Sequence, residues 1–138
     1  MLADRVRALL GIHTARAAPL PKAKDRTDTL AQQIARLEGY TKTGTLADRQ
    51  RNPGNLRFVG QKGATRGDRG FARFPTHQAG WTALRSQILL DAGRGISLDR
   101  FIYKYAPPQE NNTASYLRSV SRTLGVNPTA LLKKAINN

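Results

Sequence analysis

The chain contains two glutamates, Glu38 and Glu110, and the first stands where an acid could do chemistry. Glu38 follows Ile34 by four residues and Leu30 by eight. On a helix that spacing puts its carboxyl on the apolar face, close to the helix end. A solvated glutamate would belong on the opposite face, beside Gln33 and Arg36. Burial against apolar groups disfavours the charged form of a carboxyl and raises its pKa. A carboxyl that stays protonated near neutral pH can protonate the leaving oxygen of a glycosidic bond. The same spacing also suits a salt-bridge partner for one of the many arginines.

Such an acid must be held by surrounding elements. Thr27 and Asp28 carry N-cap chemistry for a first helix, with Leu30, Ile34, Leu37 and Glu38 on one side and Gly39 as its stop. Residues 40–50 read as a loop with one helical turn from Thr45. Asn52-Pro53-Gly54-Asn55 is turn chemistry. Residues 56–59 and 71–74 predict a small hairpin, joined by a basic, glycine-rich connection over 61–70. Helices then resume. Thr76 caps one bearing Trp81, Leu84, Ile88 and Ala92. Ser97 caps the next, bearing Leu98, Phe101, Ile102 and Tyr105, and Pro107 ends it. Asn112 or Thr113 opens another, with Leu117, Val120 and Leu124 as its stripe and Gly125 as its stop. Asn127-Pro128 reads as a cap followed by proline at the first helical position. The expected class is α+β and mostly α, with one small β-hairpin. Residues 1–26 read as a basic amphipathic helix (Leu2, Val6, Leu9, Leu10) and a linker, and residues 27–138 as the folded domain.

Several stretches together resemble a known family. Ile34-Ala35-Arg36-Leu37-Glu38-Gly39-Tyr40 precedes Asn52-Pro53-Gly54-Asn55-Leu56-Arg57-Phe58, then Gly70-Phe71-Ala72-Arg73-Phe74-Pro75-Thr76. Tyr105-Ala106 and Tyr116-Leu117 come late. This order is similar to the glucosaminidase and flagellar-muramidase group of the lysozyme-like superfamily, over roughly residues 27–124. The Asn-Pro-Gly-Asn-Leu-Arg piece also resembles small phage and prophage virion proteins. The resemblance implies a lysozyme-like domain that cleaves peptidoglycan, with Glu38 as catalytic acid, Tyr105 as the late active-site tyrosine and Tyr116 as the tyrosine after it. Asn55 and Leu56 would set the start of the hairpin. The segment after Tyr105-Ala106 is longer here, 107–113, than in that family. Asp68 is the positional candidate for a second carboxylate, with Asp48 and Glu110 as other choices. Asn55, Arg57, Phe71 and Tyr116 are the candidate substrate contacts. Phe71, Phe74 and Trp81 read first as core residues, with sugar contact as the second reading.

A single carboxyl can serve such a reaction twice, first as acid and then as base. Attack by water makes the protein a hydrolase. Attack by the sugar's own hydroxymethyl group makes it a lytic transglycosylase. A distant second carboxylate also suits an inverting hydrolase, which accommodates ~6.5–9.5 Å between the pair.

Charge bears on partners. Lys and Arg total 23 against 9 acidic residues, a net charge of +14. That favours polyanions, either nucleic acid or bacterial cell wall. No cysteine is present, which rules out disulfides and thiolate metal sites, and two distant histidines argue against zinc. Neither a metal nor another cofactor is expected. No apolar run is long enough to cross a bilayer. Residues 8–12 are short for a secretory signal, so delivery inside a virion or action at the wall or periplasm are the expected settings. A second reading is a non-enzymatic virion structural protein whose basic surface holds DNA or neighbouring subunits. A third, a dedicated DNA-binding module, lacks a helix-turn-helix or zinc-finger signature.

Overall fold

A computed structural model describes residues 20–137. The expected amphipathic helix on Leu2, Val6, Leu9 and Leu10 lies outside the described residues. Six α-helices and one small antiparallel sheet make up the described part: α1 (Arg26–Leu37), α2 (Leu46–Arg49), β1 (Thr65–Arg66), β2 (Ala72–Arg73), α3 (His77–Gly93), α4 (Leu98–Tyr105), α5 (Thr113–Leu124) and α6 (Leu132–Asn137). The class is α+β and mostly α, as the sequence implies.

Helix α1 begins earlier than its sequence predicts. Asp25, in extended backbone, accepts the Asp28 N–H at 2.8 Å and is the N-cap. Thr27 is buried inside the first turn, and Asp28 accepts from the Lys24 N–H at 2.9 Å. Arg85 of α3 joins both acids, at 2.6 Å to Asp25 and 2.5 Å to Asp28. Arg26, assigned to the linker by sequence, donates to the carbonyls of Ala135 and Leu124. It thereby satisfies orphan carbonyls near the ends of two other helices. The folded unit therefore starts before residue 27.

The main core is a helical cluster. Leu30 and Ile34 of α1 meet Leu84 and Ile88 of α3, Phe101 and Ile102 of α4, Val120 of α5 and Leu132 of α6. All eight are fully buried. Leu37 departs from the expected stripe and is exposed. The caps at Thr76, Ser97 and Asn112 form as the sequence implies, and Gly125 ends α5 in the left-handed region.

The hairpin differs from its prediction. Strand β2 pairs with β1, in the register Thr65↔Arg73 and Arg66↔Ala72, and not with a strand at 56–59. Arg57↔Phe71 is an isolated bridge. Asn52 explains this: its amide takes up the Leu56 N–H and carbonyl, each at 2.9 Å, and also donates to the Ala72 carbonyl at 2.9 Å. A side chain occupies positions that a longer ladder would have used.

The expected helix start at Asn127-Pro128 is also displaced. Asn127 instead closes a turn by accepting from the Thr129 N–H and hydroxyl. The next residues pair with the start of α4, through Leu98 N–H to Ala130 at 2.8 Å and Leu132 N–H to Ile96 at 2.9 Å. That extended pairing delays α6 to Leu132.

Candidate active site

Glu38 is the C-cap of α1, and a specific chain reversal keeps it there. Gly39 takes φ 81°, the Tyr40 N–H reaches back to the Ala35 carbonyl at 2.9 Å, and the Gly39 N–H reaches Arg36 at 3.1 Å. This is the Schellman arrangement, in which a left-handed residue lets the last carbonyls be satisfied. Tyr40 is then fully buried and bonds His77 Nδ1 at 2.5 Å, which ties the reversal to α3. The acid is thus fixed at the end of a helix whose apolar face, Leu30, Ala31, Ile34 and Ala35, is buried in the core.

The opposite side of the site is built by the 52–55 turn. Gly80 of α3 lies so close to this turn that a Cβ there would fall 2.1 Å from the Arg51 carbonyl oxygen and 2.7 Å from Pro53. Gly54 is equally tight: its Cβ would meet the Tyr105 hydroxyl at 2.4 Å and Leu84 at 2.7 Å. The Tyr105 hydroxyl donates to the Gly54 carbonyl. Two glycines and one tyrosine therefore clamp the turn between α3 and α4, and the turn delivers Asn55 to Glu38.

Glu38, Asn55, Leu56, Arg57, Phe71 and Tyr105 line a common cleft of about 690 Å³, together with Gln87, Asp91, Phe101, Lys104 and Glu110 among others. The size falls in the range of small-molecule ligand sites. Glu38 is partly buried, and among the described residues it forms no ion pair. The Tyr116 hydroxyl donates to its Oε2 at 3.0 Å.

Burial pushes the Glu38 carboxyl above its ordinary pKa. Hydrogen bonding from Tyr116 and Asn55 works the other way, and the charge of Glu110 adds to the rise. Desolvation wins, so the neutral acid persists to higher pH than in a solvated glutamate. Burial also raises Tyr105 and Tyr116, and the nearby Glu38 charge adds to both. Both phenols stay protonated and serve as donors.

Compared with known protein families, curated proteins and solved structures, the chain matches none.

The expected site residues separate into three groups. Glu38, Asn55, Arg57, Phe71 and Tyr105 come together in the cleft. Tyr116 does not line it; this residue is buried, and its hydroxyl donates to the Glu38 carboxyl. Asp68 is the clear departure. It is exposed, pairs with Arg73 at 3.5 Å and Arg49 at 3.9 Å, and does not line the cleft. The Gln50 side chain holds this turn, its Oε1 accepting the Asp68 N–H at 2.6 Å. Asp48 is likewise engaged elsewhere, accepting the Gly44 N–H.

The carboxylates that share the cleft with Glu38 are Glu110 and Asp91. Asp91 is only 2% exposed and is held by Lys104 at 2.8 Å, Gln87 at 2.8 Å and Arg94 at 3.0 Å. Burial alone would raise its pKa, but these three partners outweigh it and keep the carboxyl below its ordinary value. Glu110 is exposed and bonds Arg57 at 3.3 Å. Arg57 also lies 4.5 Å over the Phe71 ring and donates to the Arg69 carbonyl at 3.3 Å. Sequence reasoning passed over Asp91, although a signal existed: it falls three residues after Ile88, on the buried face of α3.

Proposed function

We propose that this protein cleaves the glycan strands of bacterial peptidoglycan, with Glu38 as the general acid. The observation that carries the reading is a partly buried carboxyl, without an ion-pair partner among the described residues and with its pKa raised by burial, on the wall of a cleft of about 690 Å³. In the first step the Glu38 proton goes to the glycosidic oxygen as the C1–O bond breaks. The resulting carboxylate then takes a proton from the attacking hydroxyl, which belongs to water or to the sugar's own hydroxymethyl group. Tyr116 orients the acid from behind, and Tyr105 holds the turn that faces it. Glu110 is a better-placed partner carboxylate than Asp68, because it opens onto the same cleft.

The test is clearing of purified peptidoglycan. The unmodified protein is expected to clear it. Glu38→Gln is expected to lose ~10²–10⁴-fold in rate, the usual worth of general acid–base catalysis. Retention of full activity by Glu38→Gln would remove Glu38 from the chemistry.

The charge of +14 favours a second reading, a virion structural protein that binds DNA or neighbouring subunits through its basic surface. Tight DNA binding with a steep salt dependence, and no release of wall fragments, would favour that reading.

A further inference from the structure

Asn55 combines two features that local structure alone does not explain. Its φ of 47° lies in the left-handed region, which non-glycine residues rarely enter. Asparagine tolerates that region better than most residues, so backbone geometry accounts for an asparagine or a glycine at this position. Backbone geometry does not account for the second feature. The side-chain oxygen Oδ1 is buried and has no hydrogen-bond partner among the described residues. A buried acceptor left unpaired is costly, and a glycine would meet the same backbone demand without that cost.

The position of the side chain supplies the missing reason. Asn55 lines the same cleft as Glu38, and its interaction with the Glu38 side chain works against the rise in that carboxyl's pKa. The clamp at Gly54 and Gly80 leaves the turn little freedom to carry the side chain elsewhere. We infer that Asn55 is a site residue with two functions: its amide N–H₂ orients the Glu38 carboxyl, and its Oδ1 accepts a hydrogen bond from the sugar at the reacting centre. The inference rests on the glycan-cleavage reading and deepens it. The donor is an N–H or O–H of the bound glycan: the amide N–H of an N-acetylated sugar, or a ring hydroxyl. The other polar groups around Glu38 do not share this task. Tyr116 and Tyr105 use their hydroxyls on Glu38 and Gly54, Glu110 is held by Arg57, and Asp91 by Lys104.

Glycine separates the two jobs. Asn55→Gly keeps a backbone suited to positive φ and removes the side chain. The variant is expected to melt at or above the temperature of the unmodified protein. It is also expected to release fragments from purified peptidoglycan at least 10-fold more slowly, with the alkaline limb of its pH profile moved to higher pH. The limb moves because loss of a donor to the Glu38 carboxylate leaves the acid protonated to higher pH. A comparison of N-acetylated with N-deacetylated glycan identifies the donor. If the amide N–H is the donor, deacetylation slows the unmodified protein but not Asn55→Gly; if a hydroxyl is, both proteins respond alike. An Asn55→Gly protein with the unmodified rate and pH profile would overturn the inference.

Should Asn55→Gly fail to fold, Asn55→Asp tolerates the same backbone and keeps an acceptor while losing the donor. An unchanged pH profile in that variant would be equally fatal. If the unmodified protein cleaves no glycan, the parent reading falls separately. Titration of Glu38 by NMR then decides the remaining half: an upward shift in Asn55→Gly supports the orienting role, and an identical titration overturns it.

Discussion

At the scale of single residues, the account turns on a carboxyl that folding makes less acidic. A raised pKa means that the folded state binds the Glu38 proton more tightly than the unfolded state does. Stability therefore falls as pH climbs through the ordinary glutamate range toward the folded value. Glu38→Gln removes that dependence. Its melting temperature is expected to equal or exceed that of the unmodified protein at pH 7, with the difference vanishing below about pH 4, where a model glutamate is protonated in both states. Thermal melts across pH 3–8 check this. Tyr116→Phe removes the donor to Oε2 and is expected to shift the alkaline limb of activity upward, with a modest loss of rate. Asp25 shows the opposite sign. The Arg85 guanidinium holds its carboxyl down at about 2, so its stabilising effect is present above the ordinary aspartate range and is lost as pH falls through about 2. Glu38 was legible in the sequence because its spacing from Ile34 and Leu30 needs no tertiary information. The position of Asp68 was not legible, because only the fold shows that it bonds Gln50 and Arg73 and does not line the cleft, while Glu110 does.

At the scale of elements, the 52–55 turn is what the site depends on. Asn52 is fully buried and makes three hydrogen bonds to Leu56 and Ala72. Asn52→Ala leaves the Leu56 N–H unpaired and removes a donor from the Leu56 and Ala72 carbonyls, and is expected to cost roughly 2 kcal/mol, from the penalty for an unpaired buried backbone group. Denaturant unfolding measures the cost, and activity should drop beyond what the unfolded fraction explains, because Asn55 is released. Gly39→Ala places a side chain at φ 81°, a conformation worth ~1–2 kcal/mol of strain for a non-glycine residue. Relief of that strain would shift Glu38, so the rate is expected to fall with the stability. The helices and most of their caps were readable from polar residues before apolar stripes. The hairpin register was not, because a side chain, Asn52, substitutes for a strand edge. Nor was the start of α6, which tertiary pairing with the beginning of α4 postpones.

At the scale of the molecule, the helical core presents the C-terminal end of α1 to a turn clamped by α3 and α4, and the cleft lies between them. The core is legible as a set of stripes, but the cleft is not, since it arises from close approaches at Gly54 and Gly80 that a sequence shows only as glycines. The charge of +14 is a property of the whole chain and bears on approach to an anionic wall. Association with peptidoglycan is expected to weaken steeply as salt rises past physiological strength, while the rate at saturation changes little. Sedimentation of the protein with insoluble wall material over a salt series measures the first, and initial rates measure the second.

The central claim is chemical, and mass spectrometry of peptidoglycan digests tests it most directly. Digestion by the unmodified protein should yield soluble glycan fragments with new reducing or anhydro ends, and Glu38→Gln should yield them at least ~100-fold more slowly. A folded, unmodified protein that releases no such fragment at any pH would contradict the account.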